Sequence, residues 1–90
     1  GDDLYVEVPV RAYDLVLGGE VRVPTMTGTV QMRIPPGTQN EQLLRLPGKG
    51  MPKPGGGYGD EYVRVIARLP QQLSEKEREL FRELAEMRPA

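Results

Sequence analysis

Apolar and polar residues alternate in several short runs of this 90-residue chain, and this period of two most constrains its fold. In the first run, Leu4, Val6, Val8 and Val10 are separated by Tyr5, Glu7 and Pro9. Such alternation is typical of a half-buried β-strand, whose successive side chains point to opposite faces. Because proline has no N–H to donate, the first strand is predicted to lie at a sheet edge or to bulge there.

The same pattern recurs along the chain. Further strands are predicted over residues 20–23, 29–34, 43–46 and 62–69. A hairpin is expected at residues 24–28, where Gly28 suits a positive φ, and one helical turn is expected over residues 13–17. Residues 48–59 hold six of the eleven glycines and are predicted to form a loop. The predicted fold is therefore mainly β, a small β-sandwich of short antiparallel strands with a C-terminal amphipathic helix.

The C-terminal helix has the clearest local signals. Ser74 and Glu77 have the spacing of a capping box, and Pro89 ends the helical pattern. Leu73, Leu80, Phe81, Leu84 and Met87 recur at helical spacing. This apolar stripe either folds back on the sheet or packs on a second copy of the chain, and the pattern favours neither.

Composition excludes several kinds of chemistry. The chain has no cysteine and no histidine, which rules out disulfides, thiolate nucleophiles, histidine catalysis and Cys/His zinc sites. Its formal net charge of -1 is far from the basic excess of nucleic-acid-binding proteins. No apolar run approaches the length of a membrane span, and the N-terminus does not resemble a signal peptide. We expect no metal, no cofactor, no nucleic acid and no membrane partner.

Two pairs of adjacent carboxylates are candidates for a catalytic site. In Asp2/Asp3 and Asp60/Glu61 the residues are adjacent, so in strands their side chains point to opposite faces and do not converge. The glycines of residues 48–59 lead into a strand and lack the Gly-Lys-Ser/Thr run of a phosphate loop. The sequence therefore predicts no enzyme activity.

Two short segments of the chain are similar in sequence. Residues 3–8 match residues 60–65 at four of six positions, Asp, Tyr and two valines. Either two strands follow the same edge-of-sheet pattern, or a longer parent carried a tandem duplication.

Longer motifs add a resemblance. Asp3–Val10, Tyr13–Thr25, Val30–Gln39, Leu44–Pro52 and Gly59–Val65, followed by the Leu73-Ser74 helix, stand in an order that resembles the DnaJ family of J-domain co-chaperones. The chain is similar to that family's second C-terminal β-sandwich subdomain with its terminal helix. It departs from the family pattern at Thr25–Gly28, at Glu41 in place of glycine and at Glu61 in place of leucine. The His-Pro-Asp motif, the Cys-rich zinc module and the first sandwich subdomain are missing, as expected of an excised fragment.

The resemblance implies a binding module. It places a β-sandwich subdomain at residues 1–70 and a dimerisation helix at residues 71–90. Extended apolar segments of unfolded client proteins would be held in a shallow groove at Val6, Val8, Val21 and Val23. Leu73, Leu80, Phe81, Leu84 and Met87 would join two protomers into a homodimer. A cytoplasmic location, and a DnaK-type chaperone as partner through the full-length protein, are further expectations.

Two other hypotheses stay open. In one, the subdomain is a structural spacer between the dimer helix and client binding in the missing first subdomain. In the other, which the residues favour least, carboxylates process a glycan or a phosphate ester.

Overall fold

The computed structural model describes all 90 residues as five strands and two helices. In chain order these are β1 (Leu4–Arg11), α1 (Ala12–Leu17), β2 (Gly19–Thr25), β3 (Gly28–Ile34), β4 (Leu43–Leu46), β5 (Glu61–Arg68) and α2 (Glu75–Met87). Every strand predicted from alternation is present, with ends that differ by one or two residues. The mainly β fold with a C-terminal helix is confirmed.

The strands form two small sheets. One has the order β1-β5-β4 and the other is the β2-β3 hairpin. β4 runs antiparallel to β5, but β1 and β5 run parallel, with Val6 opposite Val63 and Val8 opposite Val65. This one pair departs from the expected antiparallel arrangement. Alternation defines the faces of a strand and not its direction, and a long crossover between β1 and β5 allows parallel pairing.

The parallel register also bears on the similarity between residues 3–8 and 60–65. Residue 3 of one segment corresponds to residue 60 of the other, and the strand register pairs Leu4 with Glu61 and Tyr5 with Tyr62. Paired residues of parallel neighbours lie at the same level of the same sheet. The similar environments of the two strands explain the similarity of residues 3–8 and 60–65 without a tandem duplication.

The core lies between the two sheets. Its buried residues are Val8, Val10, Leu15, Val23, Met32, Ile34, Val63 and Val65. All but one come from the inward positions of β1, β2, β3 and β5, as the period of two predicts. Leu15 comes from α1, whose last turn is closed by main-chain hydrogen bonds from Gly37 to Val16 and from Thr38 to Leu15. These bonds satisfy carbonyls that a short helix otherwise leaves free.

The loop of residues 48–59 is fixed at its base. Gly50 donates a main-chain hydrogen bond to Gly59, which donates to Met51, which in turn donates to the Asp2 carbonyl. A β-carbon on Gly59 would overlap that carbonyl, so only glycine fits where the loop base crosses the N-terminal segment.

Helix α2 begins as predicted and extends away from the sandwich. The Ser74 hydroxyl accepts from the Glu77 N–H at 3.1 Å, and the Glu77 carboxylate accepts from the Ser74 N–H at 2.8 Å. No residue of α2 is buried, and the molecule is 56 Å long against 24 and 16 Å across. Its one aromatic contact with the body joins Phe81 to Tyr13 of α1, with ring centres 6.3 Å apart. Neither α1 nor α2 combines the length and the apolar character that a membrane-spanning helix requires.

Candidate functional site

The four valines expected to bind clients point toward the core, and the structure separates them into two pairs. Val8 and Val23 are buried, at 7% and 0% exposure. Val6 and Val21 are only partly buried and pack against the edge of the same core. A ligand on the surface therefore has access to Val6 and Val21, whereas Val8 and Val23 support them from within.

The main chain of β1 has an open edge, because β1 pairs with β5 on one side only. The Leu4 N–H donates to the Asp60 carbonyl at 2.8 Å. In a parallel pair both main-chain groups of a residue point to the same side, so Tyr5, Glu7 and Pro9 point theirs to the open side. Pro9 thus costs no hydrogen bond to β5, and the open edge offers the N–H groups of Tyr5 and Glu7.

Strand β2 has an equivalent open edge, because it pairs only with β3. Pro24 lies opposite Thr29 in this pair and has no N–H to give to β3. A proline inside a strand is tolerated where its nitrogen faces away from the neighbour. Alternation then directs the N–H groups of Arg22 and Glu20 to the open side as well. The chain leaves β1, turns through α1 and enters β2, so one short connection joins the two open edges.

The apolar stripe of α2 is the second candidate surface. Leu80, Phe81, Leu84 and Met87 are exposed by 46%, 37%, 58% and 75%. Leu73, just before the helix, is partly buried. Between α2 and α1 lies an open cleft of about 640 Å³, lined mostly by apolar side chains. The stripe thus does not fold back fully on its own sandwich, and most of its area is free in a single chain.

Comparison with known proteins assigns the family. The family model of the DnaJ C terminal domain matches residues 1–70. The chain belongs to the DnaJ C-terminal domain family. Among curated relatives, the chaperone protein DnaJ of Halalkalibacterium halodurans is 50% identical over 88 residues, which are 97% of this chain and 24% of that protein. The corresponding protein of Caldicellulosiruptor saccharolyticus is 46% identical over 97% of this chain and 23% of its own length.

A relative with another name also matches. The curved DNA-binding protein of Coxiella burnetii is 39% identical over 99% of this chain and 28% of its own length. This DnaJ C-terminal chain therefore spans about a quarter of the length of the curated relatives it matches. The relatives from Halalkalibacterium halodurans and Caldicellulosiruptor saccharolyticus are both named as chaperone proteins.

Two acidic residues of this DnaJ C-terminal chain, Asp3 and Asp60, serve its architecture. The Asp60 carboxylate accepts from the Arg45 guanidinium at 2.8 Å and from the Gly48 N–H at 2.9 Å. The Gly48 N–H and the Arg45 side chain lower the pKa of Asp60 below its ordinary value. Asp3 accepts from the Asp60 N–H at 2.8 Å. Asp60 is thus a clamp between β4, β5 and the loop, and no three acidic side chains converge as a metal site would need.

Sequence reasoning missed several residues of the candidate surfaces. Tyr13, Val16, Leu17 and Leu69 line the cleft beside α2, and the last three are largely exposed. Val16 and Leu17 sit just before a glycine in a six-residue helix, too short for periodicity to define a face. A run of apolar residues at the end of so short a helix was the available signal.

Proposed function

We propose that this chain is a non-enzymatic chaperone module that binds extended apolar segments of non-native client polypeptides and homodimerises through α2. The open edges of β1 and β2, with Val6 and Val21 beside them, carry the proposal. An extended peptide can add a strand to such an edge, where main-chain hydrogen bonds give affinity and apolar side chains give selectivity. Membership of the DnaJ C-terminal domain family supports this choice.

The proposal assigns different roles to the four valines. Val6 and Val21 contact client side chains, and the buried Val8 and Val23 hold the two strands in position. Each main-chain hydrogen bond contributes about 1 kcal/mol net, and ordering the peptide offsets part of this. We therefore expect weak binding, in the micromolar range or weaker, which suits transient holding of many clients.

The wider biology follows the same proposal. Residues 1–70 are the client-binding sandwich and residues 71–90 the dimerisation segment. The full-length protein would act with a DnaK-type chaperone in the bacterial cytoplasm, without a cofactor. The Coxiella relative is named for DNA binding. For this chain, with a formal net charge of -1, a nucleic-acid partner is not proposed.

Edge-directed proline substitutions test client binding. Glu7→Pro removes an N–H from the open edge of β1 without removing a bond to β5, as Pro9 already does two residues on. Gln31→Pro is the matched control, because Gln31 lies opposite Arg22 and its N–H faces the outer edge of β3. Amide chemical shifts are recorded while an unfolded apolar peptide is added to each protein.

With the wild type, shifts are expected at β1 and β2. Glu7→Pro should weaken binding about fivefold, the effect of one hydrogen bond of about 1 kcal/mol, and Gln31→Pro should leave it unchanged. Shifts confined to residues 48–59, or equal affinity in all three proteins, would contradict the assignment.

Burial of Val8 and Val23 favours a second candidate, the structural spacer. Half of the expected valine strip is inaccessible, as in a domain that only positions its neighbours. A dimeric protein with no measurable peptide affinity would support the spacer instead of the client-binding module.

A further inference from the structure

Glu61 is the one ionisable side chain among the fully buried ones. It is the first residue of β5, and its side chain lies on the inward face with Val63 and Val65. Its exposure is 1%, and its Oε2 atom has no hydrogen-bond partner. Buried polar atoms are nearly always paired in folded proteins, so an unpaired carboxyl oxygen calls for a physical explanation.

The surroundings of Glu61 offer no compensating charge. Its strand neighbours are Leu4 on β1 and Leu46 on β4. The core on the inward face of the sheet is apolar, and the hairpin contributes Met32 to it, with Val21 and Val30 packed against it. Helix α1 lies at the opposite end of the sheet, because it follows Arg11, which pairs with Arg68.

The charged groups at this end of the sheet either bond to Asp60 or form no ion pair with Glu61. Arg45 is bonded to Asp60, and the Asp3 carboxylate accepts from the Asp60 N–H. Asp2 and Lys49 flank this end of β1 and β4, and neither forms an ion pair with Glu61. An unpaired carboxylate is far more costly to bury than the neutral acid, because water no longer solvates its charge.

We propose that Glu61 is held as a neutral carboxylic acid in the folded sandwich and that its ionisation opens this end of the β1-β5-β4 sheet. On ionisation the proton passes to water, and the carboxylate regains its hydration by moving out between Leu4 and Leu46. Burial raises the pKa of Glu61, in the direction this arrangement requires.

Several segments meet at the position that would open. The Leu4 N–H bonds to the Asp60 carbonyl, and the Met51 N–H bonds to the Asp2 carbonyl. Displacement of Glu61 would separate the start of β1 from β5 and release the base of the 48–59 loop. The hairpin of β2 and β3 is joined to neither of these bonds and is expected to stay closed.

The direction in which stability changes with pH follows because the closed folded state keeps the Glu61 proton and the open state releases it. The contribution of Glu61 to stability is fully present at and below the ordinary glutamate pKa and is lost as pH rises toward the raised pKa of the folded protein. Between the ordinary glutamate pKa and the raised pKa of the closed form, the share of the open, ionised form grows by up to about tenfold per pH unit, and above the raised pKa it levels off.

Native-state hydrogen exchange of the whole 90-residue protein tests this inference. Amide protection is measured from about pH 5 to about pH 8, corrected for intrinsic exchange, in the wild type and in Glu61→Gln. Glutamine keeps the shape of the side chain and cannot ionise. In the wild type, protection of the Leu4 and Met51 amides is expected to fall at least tenfold relative to the β2-β3 amides. In Glu61→Gln it should not fall.

Two outcomes would overturn the inference. One is the same pH profile in both proteins, and the other is an equal loss of protection in the hairpin. Should Glu61→Gln fail to fold, the carboxyl carbon shift of Glu61 in the wild type decides. A titration midpoint clearly above about pH 4.3 supports a neutral Glu61 in the folded protein, and a midpoint at or below that pH refutes the inference.

Discussion

Replacing both Leu80 and Leu84 by glutamine is expected to dissociate the homodimer proposed for α2. The two leucines are one helical turn apart at the centre of the apolar stripe. Glutamine has nearly the helix propensity of leucine, so the helix itself is preserved. The matched control changes Arg82 and Glu86 to glutamine, on the opposite face, and keeps the same net charge.

The magnitude follows from the exposed fractions. Leu80 is 46% and Leu84 58% exposed, so together they leave roughly one complete leucine side chain uncovered in each protomer. Burial of one such side chain contributes about 1.5–3 kcal/mol, hence about 3–6 kcal/mol for both protomers. Each 1.4 kcal/mol is about a factor of ten, so the dimer Kd should rise by roughly 10²- to 10⁴-fold.

Sedimentation velocity over a concentration series measures this change. The wild type and the Arg82/Glu86 control should approach twice 10.0 kDa as concentration rises, and the Leu80/Leu84 variant should remain at 10.0 kDa. Circular dichroism checks that helix content is equal in all three proteins. A wild type that stays monomeric at several hundred micromolar would refute the reasoning, as would a leucine variant that dimerises like the control.

Three further predictions concern stability. Gly59→Ala should destabilise the protein by more than 1 kcal/mol in urea unfolding, because its β-carbon overlaps a main-chain carbonyl, whereas Gly55→Ala meets open space and should be nearly neutral. Asp60→Asn should remove part of the loss of stability at acid pH. The wild-type carboxylate has a lowered pKa, so its contribution to stability is present above about pH 4 and is lost as pH falls. Thermal melting at a series of pH values measures this difference. Ser74→Ala should cost about 1 kcal/mol of helix stability and raise the lowered pKa of Glu77 only part of the way to its ordinary value, because the Ser74 main-chain N–H that lowers it most remains; both effects are measurable by NMR.

Local patterns predicted the elements well because local physics decides them. Alternation marked each strand, since one face of each is buried and the other is not. The Ser74–Glu77 capping box is present as predicted, because its two hydrogen bonds form within one turn. Pro9 and Pro24 both occupy open edges, as a residue without an N–H must in a small sheet.

The candidate sites were harder to predict from sequence. The pattern placed four valines on one side of two strands but gave no measure of how deeply each is buried. Val8 and Val23 are covered while Val6 and Val21 are not, because coverage depends on where the two sheets overlap. The cleft between α1 and α2 was missed because it is formed by residues more than 50 positions apart.

The sequence by itself determined the strands, the terminal helix and its cap, the absence of cysteine and histidine chemistry, and the family resemblance. These depend on residue type and near neighbours. Only the tertiary structure decided that β1 and β5 run parallel, that half of the valine strip is inaccessible, and that Glu61 is enclosed without a partner. Those features arise from contacts between distant segments, whose geometry no local pattern encodes.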